Sequence, residues 1–162
     1  MKRYWILIFV LILLGCQPIK RGTLLDNLKC VIPCWENITP GATTKSVLSD
    51  LLLSSPIVVH STIKSWVPVR TYDEVVGAEI VIGTSIKSYL FVYLINDRVA
   101  LISIEGVRDI TIADAIEKVG DPQYVVVASY MDDIYVSLIN LDKGFTFRYG
   151  TGGQTRMAKK GD

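Results

Sequence analysis

One segment of the sequence carries a signal for a helix at both of its ends. Thr111 and Asp114 have the spacing of a capping box, in which each side chain accepts a hydrogen bond from a backbone N–H at the start of a helix. Gly120 stands where a left-handed C-terminal cap is expected, and Pro122 follows it. Between these ends, apolar residues recur at helical spacing: Ile112, Ala115, Ile116 and Val119. The segment therefore predicts a short helix that docks by one face and ends at Gly120.

A second helical pattern lies earlier in the chain, over residues 44–53. Thr43 precedes it as a candidate N-cap, and the pattern stops before Pro56. Its apolar stripe consists of Val47, Leu48, Leu51 and Leu52.

Most of the remaining segments are rich in β-branched and aromatic residues, which favour strands. The predicted strands are 57–60, 63–69, 78–83, 88–95, 98–104, 123–129, 134–141 and 145–149. Pro68 places the second of them at a sheet edge, and Asn96 and Asp97 form a two-residue hairpin connection. The order of elements predicts an α+β fold, with two helices packed on an antiparallel sheet of about six to eight strands. It also suggests tandem helix-plus-β-meander halves, although the similarity of the halves could be a coincidence of periodicity.

The first residues have the layout of a secretory signal. Lys2 and Arg3 precede an apolar run over residues 4–14, and Gly15 and Cys16 follow. The run is too short for a membrane-spanning helix, which needs about 20 apolar residues. The segment resembles the bacterial lipobox, which implies that Cys16 becomes the lipidated, palmitate-bearing first residue of the mature protein. An ordinary signal peptide or an anchor that happens to contain a cysteine is the alternative.

This interpretation predicts a protein on the extracytoplasmic side of a bacterial membrane, held in the cell envelope by lipid on Cys16. The predicted organisation is a signal peptide, a lipidated tether with a cysteine pair, an α+β domain in two halves and a flexible tail. The corresponding ranges are 1–15, 16–36, 37–150 (halves about 37–106 and 107–150) and 151–162.

Two further cysteines, Cys30 and Cys34, fit an oxidising compartment. A disulfide between them would close a very short loop and stiffen the start of the domain. A redox centre and free thiols remain alternatives, although a redox centre usually has two residues between its cysteines rather than three. A metal site would need further ligands, and the chain contains a single histidine, His60, which we interpret as a partly buried strand residue.

The composition argues against several classes of function. Seventeen basic residues, of which Lys2 and Arg3 lie in the leader, are balanced by sixteen acidic ones, so no basic surface for nucleic acid is indicated. No nucleophile elbow, phosphate-binding loop or metal-ligand spacing occurs in the sequence. The adjacent carboxylates Asp73 and Glu74 are best interpreted as a solvated turn end. We therefore expect no enzymatic activity, no cofactor and no metal.

Aromatic residues alternate along several predicted strands and form one candidate protein-binding face: Tyr89, Phe91, Tyr93, Tyr124, Tyr135 and Phe147. Partly exposed tyrosines suit protein recognition because the ring is large and its hydroxyl tolerates water. The same aromatics could instead fill the core, with Leu90, Val92 and Leu94 on the other side of their strand. We favour the core interpretation, but both faces of this strand are apolar and the sequence leaves both open.

Residues 111–122 resemble the capped helix of SmpA/OmlA (BamE-like) lipoprotein modules, which ends in Gly-acid-Pro. A helix-plus-meander unit used twice is similar to the β-lactamase-inhibitor protein fold. Cys34 and Trp35, followed by residues 38–41 (Ile-Thr-Pro-Gly), resemble the start of uncharacterised envelope lipoproteins. These resemblances imply a non-catalytic, membrane-anchored module for protein binding or scaffolding, with an unidentified protein partner. A thiol-disulfide protein using Cys30 and Cys34, and a small-ligand-binding lipoprotein, are the alternatives.

Overall fold

The computed structural model describes residues 30, 32–68, 71–82, 86–107, 110–130 and 133–150. The predicted signal peptide, the lipidation site Cys16, the tether up to residue 29 and the predicted tail from residue 151 lie outside the described residues.

A seven-stranded sheet dominates the structure and is accompanied by two α-helices, which confirms the α+β class and the expected number of strands. The helices are α1 (Lys45–Ser54) and α2 (Ile112–Val119). The strands are β1 (Lys64–Trp66), β2 (Glu74–Ile82), β3 (Ile86–Ile95), β4 (Arg98–Glu105), β5 (Tyr124–Tyr130), β6 (Asp133–Asn140) and β7 (Phe145–Gly150). Their order across the sheet is β1-β2-β3-β4-β7-β6-β5, and every neighbouring pair is antiparallel except β4 and β7.

The segment before β2 is less regular than its apolar sequence suggested. A strand was expected at residues 57–60, but Val58 makes only an isolated bridge to Ile80, and a 3-10 helix follows at His60–Thr62. The Thr62 hydroxyl closes this turn by donating to the Val59 carbonyl (2.6 Å), and it accepts the backbone N–H of Glu79 (2.8 Å). The 3-10 turn thus takes the place of continued strand pairing, and His60 is exposed rather than partly buried in a strand.

The start of α1 differs from the prediction that Thr43 caps it. The N-cap residue is Thr44, and its side chain makes no hydrogen bond to the backbone of the helix. Thr43 is buried and its hydroxyl accepts the backbone N–H of Thr39 (2.8 Å), so the side chain that would cap the helix is engaged in the preceding turn. The helix consequently begins one residue later than expected.

The capping box of α2 is confirmed. The Asp114 carboxylate accepts the backbone N–H of Thr111 (2.9 Å), and the Thr111 hydroxyl accepts the backbone N–H of Asp114 (3.1 Å). Gly120 ends the helix with a positive φ of 90°, but its ψ of 176° is extended, so the predicted left-handed cap is wrong in detail. The Lys143 ammonium donates to the Val119 carbonyl and so caps this end of the helix from outside.

One face of the sheet carries the hydrophobic core, and we call it the buried face. Strand registers place alternate apolar residues of β2, β3, β4, β7 and β6 on this side. The buried side chains of both helices belong to the same cluster: Leu48 and Leu52 from α1, and Ala115 and Val119 from α2. A single cluster therefore connects the two halves of the chain.

Candidate functional site

The opposite side of the sheet, which we call the open face, is aromatic. On β3, Leu90, Val92 and Leu94 are at most 1% exposed and point into the core. Because side chains alternate along a strand, the aromatic residues between them lie on the open face: Tyr89, Phe91 and Tyr93. The expectation that these aromatics fill the core is therefore wrong. The buried side chains of both helices belong to the same core cluster as these leucine and valine residues, whereas the three aromatic residues do not belong to it.

An aromatic pair lies at the β1 end of the open face. The rings of Trp66 and Phe91 meet edge to face, with centroids 6.0 Å apart. Gly77 lies beneath them on β2, where a Cβ atom would come within 2.8 Å of the Trp66 ring. The missing side chain thus makes the room that Trp66 occupies. The pair, together with Tyr89 and Lys64, lines a shallow cleft of about 280 Å³.

Tyr93 continues this surface towards its middle. Its ring lies against that of Tyr72, with centroids 4.7 Å apart. Burial raises the pKa of the Tyr93 phenol above its ordinary value, and the nearby Glu105 carboxylate raises it further. The group therefore keeps its proton, and with it the ability to donate a hydrogen bond, at a higher pH than a free tyrosine.

A charged pair lies where the two halves of the sheet meet. Arg148 on β7 is the register partner of Glu105 on β4, and the two side chains are 3.5 Å apart. The Arg148 guanidinium also stacks over the ring of Tyr135, 4.8 Å from its centroid. The open face thus has an ion pair at its centre and aromatic rings on either side of it.

Five of the six residues predicted to form a protein-binding face lie on the open face. The registers put Tyr89, Phe91, Tyr93, Tyr124 and Tyr135 on the open face. Phe147 does not belong with them. It pairs with Ile104 in the buried face and is only 2% exposed, because the alternation along β7 turns Arg148 outward instead. Phe147 therefore follows the core interpretation, and its place in the predicted binding face is wrong.

Four contributors to the open face were not singled out from the sequence: Trp66, Tyr72, Glu105 and Arg148. Trp66 lies within the predicted edge strand, where alternation could have indicated its side. Arg148 alternates with the aromatics of β7 and could have been found in the same way. The pairing of Glu105 with Arg148 depends on the parallel contact of β4 and β7, and local sequence carries no signal for that.

The cysteine pair lies at the start of the described domain. The Sγ atoms of Cys30 and Cys34 form a disulfide, and the Cα atoms are 5.6 Å apart. Cys30 Sγ also accepts the backbone N–H of Asn37 (3.4 Å). The next turn is anchored in the core, because Trp35 and Ile38 are fully buried and exchange two backbone hydrogen bonds. These contacts tie the disulfide to the start of the domain.

A second concave feature lies beside α1, with a volume of about 680 Å³. Its apolar lining consists of Leu48, Leu52, Leu53, Ile63 and Val76. At one side the Lys45 ammonium and the Glu74 carboxylate are 2.5 Å apart. The hydrogen bond to Glu74 and its negative charge raise the pKa of Lys45. An apolar cavity with a few polar groups at its rim has the composition of small-ligand sites.

Within the described ranges, no three or more His, Cys, Asp and Glu side chains come together as a group that could hold a metal ion. None of the helices in this part of the chain is both long and apolar enough to cross a membrane. Comparisons with known protein families, with curated proteins and with solved structures find no match.

Proposed function

We propose that this chain is a lipid-anchored protein of the bacterial cell envelope that binds another protein through its open face and carries out no catalysis. The observation that supports this most is the aromatic surface formed by β1 and β3, with Trp66, Tyr89, Phe91 and Tyr93 on one side of the sheet. The proposal includes the finer architecture expected from the sequence, with both helices packed on the buried face.

The physical basis lies in the chemistry of this surface. Trp66 is 42% exposed and Tyr89 is 46% exposed, so both rings have apolar area that a partner could remove from water. Tryptophan, tyrosine and arginine are the residue types that most often dominate the free energy of protein association. The Glu105–Arg148 pair adds a directional polar contact beside Tyr93.

The membrane attachment is proposed from the leader sequence. A single acyl chain binds membranes only marginally, whereas two or more hold a protein stably, at about 0.8 kcal/mol for each buried methylene. Mass spectrometry of the mature N-terminus should show a lipid-modified Cys16, and Cys16→Ser should leave the chain unprocessed or released from the membrane fraction. A mature N-terminus at another residue would contradict the anchor.

Protein binding can be tested by site-specific photo-crosslinking in intact envelopes. A benzophenone amino acid at Tyr89 should give a discrete adduct, because this position lies on the open face. The same group at Leu53 is the matched control, since Leu53 is 55% exposed but lies on α1. Adducts of equal yield at both positions, or none at Tyr89, would exclude the open face as the binding surface. If Cys16 carries lipid but Tyr89 gives no adduct, the membrane anchor is supported and protein binding through the open face is refuted.

The cavity beside α1 supports a second candidate, the binding of a small amphiphile. Its tail would lie against Leu52 and Val76, and its polar group would lie near the Lys45–Glu74 pair. Native mass spectrometry of the protein released from detergent should then retain a bound small molecule. Val76→Phe, which fills the cavity, should remove that mass, and Val47→Phe on the outside of α1 should not. A protein that carries no bound mass would exclude this candidate.

A further inference from the structure

The last strand of the sheet has an unusual surface. β5 pairs with β6 on one side, and its other edge has no pairing strand among the described residues. Four successive side chains are substantially exposed: Tyr124 (58%), Val125 (57%), Val126 (46%) and Val127 (66%). Because side chains alternate, these residues expose apolar area on both faces of the strand. β5 therefore presents apolar surface together with a row of backbone groups able to form a further ladder.

The opposite edge of the same sheet is protected in the usual ways. β1 has only three residues, one of which is Lys64, and Pro68 follows shortly after it. Short length, lysine and proline are the features by which sheet edges avoid pairing with other chains. β5 has none of them. Its seven residues are uncharged, contain no proline and pair with β6 without a bulge.

We propose that the edge of β5 is an interface between two copies of this chain, which pair their β5 strands antiparallel into one continuous sheet. The absence of charge matters here, because two identical strands place like residues near one another, and any charge on them would repel its copy. Pairing also closes the assembly. The two β5 edges are consumed, and the outer edges of the joined sheet are the two protected β1 strands, so growth stops at a dimer.

Symmetry determines the register. In an antiparallel ladder, a two-fold axis must place one residue opposite its own copy. Full overlap of the seven residues Tyr124–Tyr130 puts Val127 on the axis, with Val125 opposite Ser129 and Val126 opposite Ala128. Val127 is also the most exposed residue of the four, which fits a central position in the contact.

The size of the contact predicts its strength. A seven-residue strand is about 24 Å long, and a sheet is about 10 Å thick, so each copy covers an edge of about 240 Å² and the pair buries roughly 500 Å² in total. Stable complexes usually bury about 1,200–2,000 Å². The dimer should therefore dissociate on dilution, and confinement of both copies to one membrane would favour it through a high local concentration.

The oligomeric state tests the proposal. Sedimentation of the mature, lipid-bearing protein in mild detergent should show the dimer mass at high concentration and the monomer mass on dilution. Val127→Lys should remove the dimer while the far-ultraviolet circular dichroism spectrum stays unchanged, because this side chain is exposed in the monomer. Ser65→Lys, on the β1 edge, is the matched control and should leave the dimer intact. A protein that is monomeric at every concentration would refute the proposal.

Disulfide trapping tests the register. The other cysteines of the mature chain would be occupied, Cys16 by lipid and Cys30 and Cys34 by each other. Val127→Cys should therefore crosslink to its own copy under mild oxidation. Val125→Cys lies on the same face with similar exposure, but its copy would be about 14 Å away at 3.4 Å per residue, beyond disulfide reach. Crosslinking of Val125→Cys but not Val127→Cys would overturn the proposed register.

Discussion

Tyr93 lies on the open face, is half-buried and is close to two charged side chains, those of Glu105 and Arg148. Its phenol lies half-buried against Tyr72, and Glu105 lies near enough to disfavour the phenolate. Arg148 acts in the other direction, but burial is the largest influence and the pKa is raised. Since a raised pKa means that folding favours the neutral phenol, this side chain links the stability of the protein to alkaline pH.

The sign of that linkage can be predicted. The contribution of Tyr93 is fully present below the pKa of an unfolded tyrosine, about 10, and is lost as pH rises through the higher pKa of the folded protein. Urea titrations at increasing alkaline pH should therefore show a steeper loss of stability for the wild type than for Tyr93→Phe. Equal slopes for the two proteins would show that Tyr93 is not desolvated.

For the aromatic residues, the sequence predicts which side chains share a face of the sheet but not which face is buried. On β3 both faces are apolar, so alternation alone could separate Tyr89 from Leu90 but could not say which of them faces the helices. The choice is made by Leu48, Leu52, Ala115 and Val119, which pack with the leucine side. The side of Phe147 is likewise determined by its register with Ile104 on β4, which alternation with Arg148 along β7 does not reveal.

At the scale of elements, the two helices differ in how they begin, and this difference is testable. Thr111 and Asp114 form a complete capping box at α2, whereas Thr44 makes no side-chain hydrogen bond to the backbone of α1. Thr111→Ala should therefore lower the free energy of unfolding by about 0.5–2 kcal/mol. Thr44→Ala is the control and should cost clearly less in the same denaturant titration. Equal costs would mean that the box contributes nothing to stability.

Elements specified by local chemistry were the ones that the sequence predicted well. The start of α2 and the Asn96–Asp97 connection follow from side chains that act within a few residues, and both central residues of that turn have positive φ as such a turn requires. The edge strand predicted over residues 63–69 is present as β1, but it covers only Lys64–Trp66, and β2 begins at Glu74 rather than at residue 78. Their bounds depend on pairing between segments and on the 3-10 turn closed by Thr62, which no local pattern reveals.

At the scale of the whole molecule, the two halves share an order of elements and approach each other from opposite edges. β2, β4, β5 and β7 run in one direction, and each meander proceeds from an outer edge towards the centre of the sheet. The buried side chains of both helices belong to one cluster. The two meanders are thus laid out in opposite orders across the sheet, and a shared order of elements does not by itself indicate duplication.

The halves should nevertheless unfold together. One cluster of buried side chains includes Leu48 and Val92 from the first half and Val119 and Leu138 from the second. We therefore expect a single transition in urea. Trp35 and Trp66 report on the first half by fluorescence, and circular dichroism reports on both halves, so the two curves should coincide. Separate midpoints would show that the halves are independent units.

The parallel contact of β4 with β7 also has a consequence for how the chain is made. Ile102 donates its backbone N–H to the Gly144 carbonyl (2.8 Å), and its side chain lies beside that of Phe145. Until β7 has been synthesised, one edge of β4 has unpaired backbone groups and apolar side chains exposed beside it. Like any unpaired strand edge, it can then aggregate with other chains. Addition of β7 thus changes β4 from an edge strand of the nascent chain into a central strand of the sheet. A chain that stops before residue 145 would leave one edge of β4 and one edge of β6 unpaired. Proteases that remove misfolded proteins would then encounter two exposed, aggregation-prone strand edges.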